Sequence, residues 1–246
     1  MSRKRSDVSP DRLAELHAGA PTRELVEQLA MDEAELARQV MGNVPRLAEA
    51  LDADDSGTVD RIRLAADVLI AELGATEARK QCASSSSDVM RGWGAFVVGR
   101  QPTGGFATRL RQMAKFADDP HFGVREFAWL ALRPHIAEDV GRAIQAFIPW
   151  TRHRSANRRR FAVEATRPRG VWCKHLAPLR TDPTPGLPLL QPLHDDPSKY
   201  VRDSVANWLN DAAKDHPQWV REVVADWGQT DASAYTVRRA LRTIKR

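Results

Sequence analysis

The sequence predicts an all-α chain organised as an α-solenoid, an array of stacked helix pairs. Three observations predict it. Apolar residues recur at i, i+3, i+4 and i+7 along most of the chain. No run of alternating β-branched residues interrupts them. The second half repeats one pattern: DDPHFGVREFAWLALRP at 118–134, SANRRRFAVEATRPR at 155–169, DDPSKYVRDSVANWLND at 195–211 and DASAYTVRRALRTI at 231–244. Aligning Val124, Arg158, Val201 and Val237 gives spacings of 34, 43 and 36 residues, the range of helix-pair solenoids.

Taken in order, residues 1–20 begin MSRKRSDVSPDR, basic with no apolar stretch behind them, and read as a flexible tail rather than a secretory signal. Leu25, Leu29, Leu36 and Val40 place one helical stripe over 25–41, with Asp32 and Glu35 as a capping signal. Ile62, Ala65, Ala66, Leu69 and Leu73 mark a helix over 59–73. The serines of 83–88, Pro-Thr-Gly-Gly at 102–105 and the proline-rich 181–188 read as loops. GAFVVG at 94–99 is the one strand-like run, equally readable as a buried helix turn. Each repeat then opens on a turn, often Asp-Pro, and a helix follows with an arginine at a fixed place: Arg125, Arg159, Arg202 and Arg238. These four are expected to pair with acidic residues of neighbouring repeats. Residues 1–246 read as a single domain with ample core.

Composition narrows the function. The chain is 42% hydrophobic and 28% charged, ordinary for a globular protein. No apolar run is long enough for a membrane span. Cys82 and Cys173 are too few for a disulfide framework or a zinc site, which suits a reducing cytoplasm. His153, His175 and His216 lack metal-ligand spacing, so no metal is expected. Gly104-Gly105 alone makes no phosphate loop, and no helix-turn-helix or zinc-finger pattern is present. Net charge is +5, yet residues 101–170 hold 13 Lys and Arg against 6 Asp and Glu, so the remainder carries about −2. That concentration points to a polyanion, or to a solvated basic face.

Two blocks carry a family resemblance. RFAVEATRPR at 160–169, followed by Trp172, and VRDSVANWLNDAAKDHP at 201–217 resemble AlkC-type DNA glycosylases, HEAT-like repeat enzymes that excise N3-alkylated, cationic bases. SDVMRGW at 87–93 and VREFA at 124–128 are similar as well. The resemblance covers roughly residues 20–230. The 35 residues after Asp211 are too few for the extra immunoglobulin-like domain that some members carry, a sandwich of about 100 residues.

The resemblance implies active-site positions at Glu164, Trp172 and Asp211, with Glu126 as a further carboxylate. Carboxylates suit an oxocarbenium-like transition state, and an aromatic suits a cationic base. Arg152, Arg154, Arg158, Arg160, Arg167 and Arg169 form the densest basic cluster, and Lys214 follows in the later block. Phosphate contact is their expected use. Pro168 takes Arg167 out of the helix, so Arg167 and Arg169 are expected to project from a loop. The implied partner is double-stranded DNA with alkylated bases, met by a monomer without cofactor.

Structural readings stay open beside these. Glu164 has i−4 and i+3 arginine neighbours with which to pair. Asp211 sits where a helix end is expected, and Trp172 is one of seven tryptophans. Two functions therefore compete: a monofunctional glycosylase, and a non-catalytic repeat module that binds DNA or a protein.

Overall fold

A computed structural model of the chain describes residues 4–170 and 172–244. Among them every regular element is helical. In order these are α1 (Pro10–His17), α2 (Leu25–Ala30), α3 (Glu33–Val40), α4 (Pro45–Asp52), α5 (Thr58–Ser84), α6 (Asp88–Arg100), α7 (Phe106–Ala117), α8 (Phe122–Glu138), α9 (Val140–Phe147), α10 (Ala156–Glu164), α11 (Ala177–Thr181), α12 (Leu187–Leu190), α13 (Lys199–Ala212), α14 (Pro217–Val224) and α15 (Asp231–Ala240). The chain divides into two compact units, residues 1–131 and 132–246.

In the first unit α1 packs on α3, α3 on α4, α4 on α5, and α5 on α6. Two sequence readings change here, and two hold. Residues 10–20 are no flexible tail: Ser9 caps α1, and Leu16 is fully buried. Residues 1–3 of the expected tail over 1–20 lie outside the described residues. The stripe over 25–41 is two helices, because Met31 is extended and Asp32 caps a new start through Ala34 N and Glu35 N. The expected helix over 59–73 is the first part of α5, which kinks at Gly74 (φ 73°). GAFVVG lies inside α6, which is buried along most of its length. Its neighbours need that sequence. A Cβ at Gly92 would sit 2.7 Å from the Phe127 ring, and one at Gly99 would sit 2.5 Å from Ala131 O. Larger side chains would push α6 off α8.

In the second unit α13 packs against α10, α14 and α15, and α12 fills the space beside α9 and α10. Residues 181–188 are not plain loop, since they end α11 and begin α12 across a 3-10 turn. Trp208 is wholly buried on α13, with Gly186 against its ring.

The recurring arginines form a repeated joint. Arg159 Nη1 donates to the carbonyls of His153 and Arg154, six and five residues upstream. Its Nε and Nη2 grip Asp196, in the Asp-Pro turn of the next repeat. Arg202 returns to the carbonyls of Asp196 and Pro197. The first unit repeats this with Arg91, which takes Ser85 O and Ser86 O and grips Asp119, while Arg125 takes Asp119 O and Pro120 O. Asp119 and Asp196 are buried, so each joint is largely withdrawn from water. Arg238 is different, lying 5.9 Å from the Tyr235 ring centre.

Candidate nucleic-acid interface and carboxylate cluster

Glu164 and Asp211 come together in the second unit, through one arginine. Glu164 is the last residue of α10, and Asp211 lies one residue from the end of α13. Arg167 follows α10 after a short turn. Its Nη1 donates to Glu164 Oε1 at 2.7 Å, and its Nε and Nη2 both reach Asp211 Oδ2 at 2.8 Å. Ser204 Oγ donates to Glu164 Oε2 at 2.6 Å, and Arg160 Nη2 lies 3.6 Å from the same oxygen. Lys214 Nζ approaches Asp211 Oδ1 at 3.3 Å. Both carboxylates are buried, each 4% exposed.

Burial alone would raise the Glu164 pKa. The Arg160 and Arg167 charges and the Ser204 hydroxyl outweigh it, holding the carboxyl below its ordinary range. Burial likewise opposes the Arg167 charge, and Glu164 and Asp211 overcome that and raise its pKa. The cluster holds two acids against three cations, so in the free protein its field favours an anion.

Trp172 is presented to solvent. It is 59% exposed, with a left-handed backbone (φ 60°) that is unusual for a bulky residue. Glu126 lies in the first unit, half-buried on α8, where its Oε2 accepts a bond from Trp129 Nε1 at 2.8 Å.

The expected phosphate contacts divide into two groups. Arg152, Arg154 and Lys214 are exposed. The others are engaged internally. Arg158 lies 5.7 Å from the Trp150 ring centre, and Arg160 stacks 4.3 Å over Tyr200. Arg169 pairs with Asp215 at 2.6 Å. Arg167 does not project: Pro168 ends the helix as expected, but the side chain folds back onto two carboxylates. Pro168 dictates backbone, and the neighbouring charges dictate where the guanidinium goes.

The sequence reading missed Arg133, Tyr200, Ser204 and a cationic groove. A cavity of about 590 Å³ between α14 and α15 is lined by Arg221, Val237, Arg238, Leu241 and Arg242 among others, with no acidic residue. None of the expected site residues lines it. The i, i+4 spacing of Arg238 and Arg242 was its only sequence signal. Among the described residues no helix is long and apolar enough to cross a membrane.

The chain is similar to several known proteins. Residues 87–244 match the family described as DNA alkylation repair enzyme. The uncharacterized protein YhaZ of Bacillus subtilis (strain 168) is 40% identical over 115 residues, 46% of this chain and 32% of that protein. The Pseudomonas fluorescens alkylpurine DNA glycosylase AlkC, solved bound to DNA containing an abasic site analog, aligns with a TM-score of 0.71 at 23% identity, covering 98% of this chain and 64% of that one. AlkD2 from Streptococcus mutans aligns with a TM-score of 0.65 at 19% identity, covering 84% of this chain and 100% of that one. The chain thus spans about a third of the Bacillus protein and just under two thirds of the Pseudomonas chain.

Proposed function

Because this chain belongs to the DNA alkylation repair enzyme family, we propose that it is a monofunctional DNA glycosylase that releases cationic, N3-alkylated bases from double-stranded DNA. One observation carries this reading. Glu164 and Asp211, brought from two successive repeats, share Arg167 at the root of the turn that presents Trp172.

The chemistry asks little else. A cationic base leaves neutral, so it needs no general acid. The C1′–N bond breaks with its electron pair on the base, and C1′ becomes oxocarbenium-like. Fixed negative charge stabilises that sugar. A carboxylate orients the water whose oxygen bonds to C1′ and takes up the proton released. Asp211 suits the second task, because among the described residues its Oδ1 meets only Lys214, at 3.3 Å, while the two Arg167 nitrogens sit on Oδ2. Glu164 has both oxygens engaged and serves as fixed charge and as anchor of Arg167. Glu126, in the first unit, is a candidate carboxylate on the family resemblance alone. Trp172 stacks on the cationic base or the sugar.

Phosphates complete the site. Arg152, Arg154 and Lys214 meet the backbone phosphates as they stand, and Arg158, Arg160, Arg167 and Arg169 meet them on leaving their internal partners. Phosphate competes with Asp211 and Glu164 for Arg167, and drawing the cations outward leaves the acids to face the sugar. The protein works alone, without cofactor, on cytoplasmic chromosomal DNA. The Pseudomonas chain of like fold was solved on DNA with an abasic site analog, the kind of product this reaction leaves.

Chromatography of bases released from methylated DNA tests the proposal. Release of N3-methyl base by the parent, with a loss of at least about a hundredfold in Glu164→Gln and Asp211→Asn, is expected. No release at any enzyme concentration overturns it. That outcome belongs to a second reading, a non-catalytic repeat module, which the burial of the Glu164–Arg167–Asp211 chain favours. The module binds branched or bent DNA with strong salt dependence and leaves its bases in place.

A further inference from the structure

Four successive carbonyls follow Glu164, and each is taken. Arg133 Nη1 donates to Ala165 O at 2.8 Å. Trp208 Nε1 donates to Thr166 O at 2.9 Å. Arg133 Nη2 donates to Arg167 O at 2.6 Å and reaches Lys174 O at 3.5 Å. Leu176 N donates to Pro168 O at 3.0 Å. The segment so held contains both Arg167 and Trp172.

Arg133 is an unusual side chain for this task. It is 3% exposed, on α8, and burial pushes its pKa down. It makes no salt bridge within 4 Å to an acid among those described, so a buried cation is spent on backbone carbonyls, three of them on the two flanks of Trp172. The last carbonyls of α10 carry the negative end of that helix, which favours a guanidinium there. Gly170 lies directly over it. A Cβ at Gly170 would come 2.2 Å from Cys173 Sγ and 3.3 Å from Arg133 Nη2. The loop is thus folded down on Arg133, and Trp172 keeps a left-handed backbone that persists only where its surroundings fix it.

We infer that Arg133 is the positioning residue of the site: it clamps the carbonyls on both sides of Trp172 and the end of α10, and so sets Trp172, Arg167 and Glu164 in one geometry. The inference rests on the glycosylase reading for its effect on rate, and stands apart from it for its effect on the loop. A misplacement of about 1 Å is enough to cost on the order of a hundredfold in rate.

Arg133→Lys keeps the charge and loses the fork. Two signals are read: single-turnover base release at saturating DNA, and the fluorescence anisotropy decay of Trp172, taken as the difference between each protein and its Trp172→Phe counterpart. The variant is expected to release base about 10–100-fold more slowly with DNA affinity unchanged, and Trp172 is expected to gain a nanosecond component. A folded variant with the parent's rate overturns the inference, whatever the anisotropy. Should Arg133→Lys lose its helical circular dichroism, Arg133→Gln, which keeps an amide donor for one carbonyl and loses the charge and the fork, is read by the same two signals. If the parent itself releases no base, the glycosylase reading fails and the anisotropy alone decides: an unchanged decay overturns the clamp.

Discussion

Arg159 grips Asp196 with two nitrogens, Nε at 2.6 Å and Nη2 at 2.9 Å, across 37 residues of chain. The Asp196 side chain is 4% exposed and that of Arg159 13%, so the pair is shielded from salt. Asp196 also accepts Ser198 N, which shapes the turn that starts α13. One aspartate therefore fixes both the entry to a helix and its attachment to the preceding repeat.

Removing one partner should therefore cost more than a surface ion pair does. Asp196→Asn is expected to lower unfolding stability by about 2–3 kcal/mol, because it leaves the guanidinium poorly compensated. Chemical denaturation measures this. Asp119→Asn should act in the same way through Arg91. A loss below about 1 kcal/mol, the scale of an exposed pair, would count against the joint as a source of stability.

Glu33 gives stability a pH dependence of the opposite sign from a paired carboxylate. Burial pushes its pKa up to about 7, with Asp32 and Asp54 adding and Arg61 opposing. Among the described residues its Oε2 has no hydrogen-bond partner. The unfolded chain releases this proton near the ordinary 4.5, the folded one near 7. Between those values the folded state binds more protons, so stability falls as pH rises and the loss is complete above pH 7. Its size is on the order of 3 kcal/mol. Glu33→Gln should raise the Tm at pH 8 and leave it nearly unchanged at pH 4. Parallel Tm–pH curves for parent and variant would sink the idea.

Glu164 runs the other way. Arg160 and Arg167 hold its folded pKa below the unfolded value despite burial. Its contribution is fully present above about pH 4.5 and is lost as pH falls through the folded value. Acid unfolding of Glu164→Gln should therefore begin from a lower stability at pH 7 and show a shallower slope below pH 4.5. An unchanged acid limb would mean that the arginines do not hold the charge in place.

Arg152 and Arg154 are exposed, and they are the arginines of the basic segment best placed to meet a phosphate without first breaking an ion pair. Each substitution by alanine should reduce the slope of log affinity against log salt by about 0.9 and weaken binding evenly across sequences. Arg169→Ala should have a smaller effect, since Asp215 already occupies that side chain. Equal slopes for parent and variants would place the DNA elsewhere, the groove of Arg221, Arg238 and Arg242 being the alternative.

These cases show what a sequence makes legible. The Asp-Pro turns and the arginines at fixed register pointed to the Arg159–Asp196 joint. Arg125 and Arg202, by contrast, take the carbonyls of their own Asp-Pro turns, Arg238 lies by Tyr235, and Arg91 of the first joint is outside the aligned repeats. Glu164 and Asp211 were legible through a family resemblance, and Arg160 and Arg167 through i−4 and i+3 spacing. Arg133 was not, although it sits in a repeat that was aligned. Its role depends on carbonyls 32 and 34 residues away, which backbone pattern does not reveal. The break between α2 and α3 was hidden for a related reason. Asp32 was read as a capping signal, yet the apolar stripe runs through Met31 with no glycine or proline to end it, so periodicity alone fused two helices.

Trp172 separates function from stability more cleanly than any carboxylate here. Its side chain contributes little to a core, being 59% exposed. Trp172→Leu should leave Tm within the range of ordinary surface changes, about 0.5 kcal/mol either way. If the indole stacks on a cationic base, the substitution forfeits a cation–π contact worth about 1–2 kcal/mol in a desolvated site. Base release in a single turnover should then slow by roughly tenfold, since each 1.4 kcal/mol or so is a factor of ten. Trp172→Phe keeps a ring and should recover part of that loss. A leucine variant that matches the parent in rate would remove Trp172 from the chemistry, and a marked fall in Tm would assign it to the fold instead.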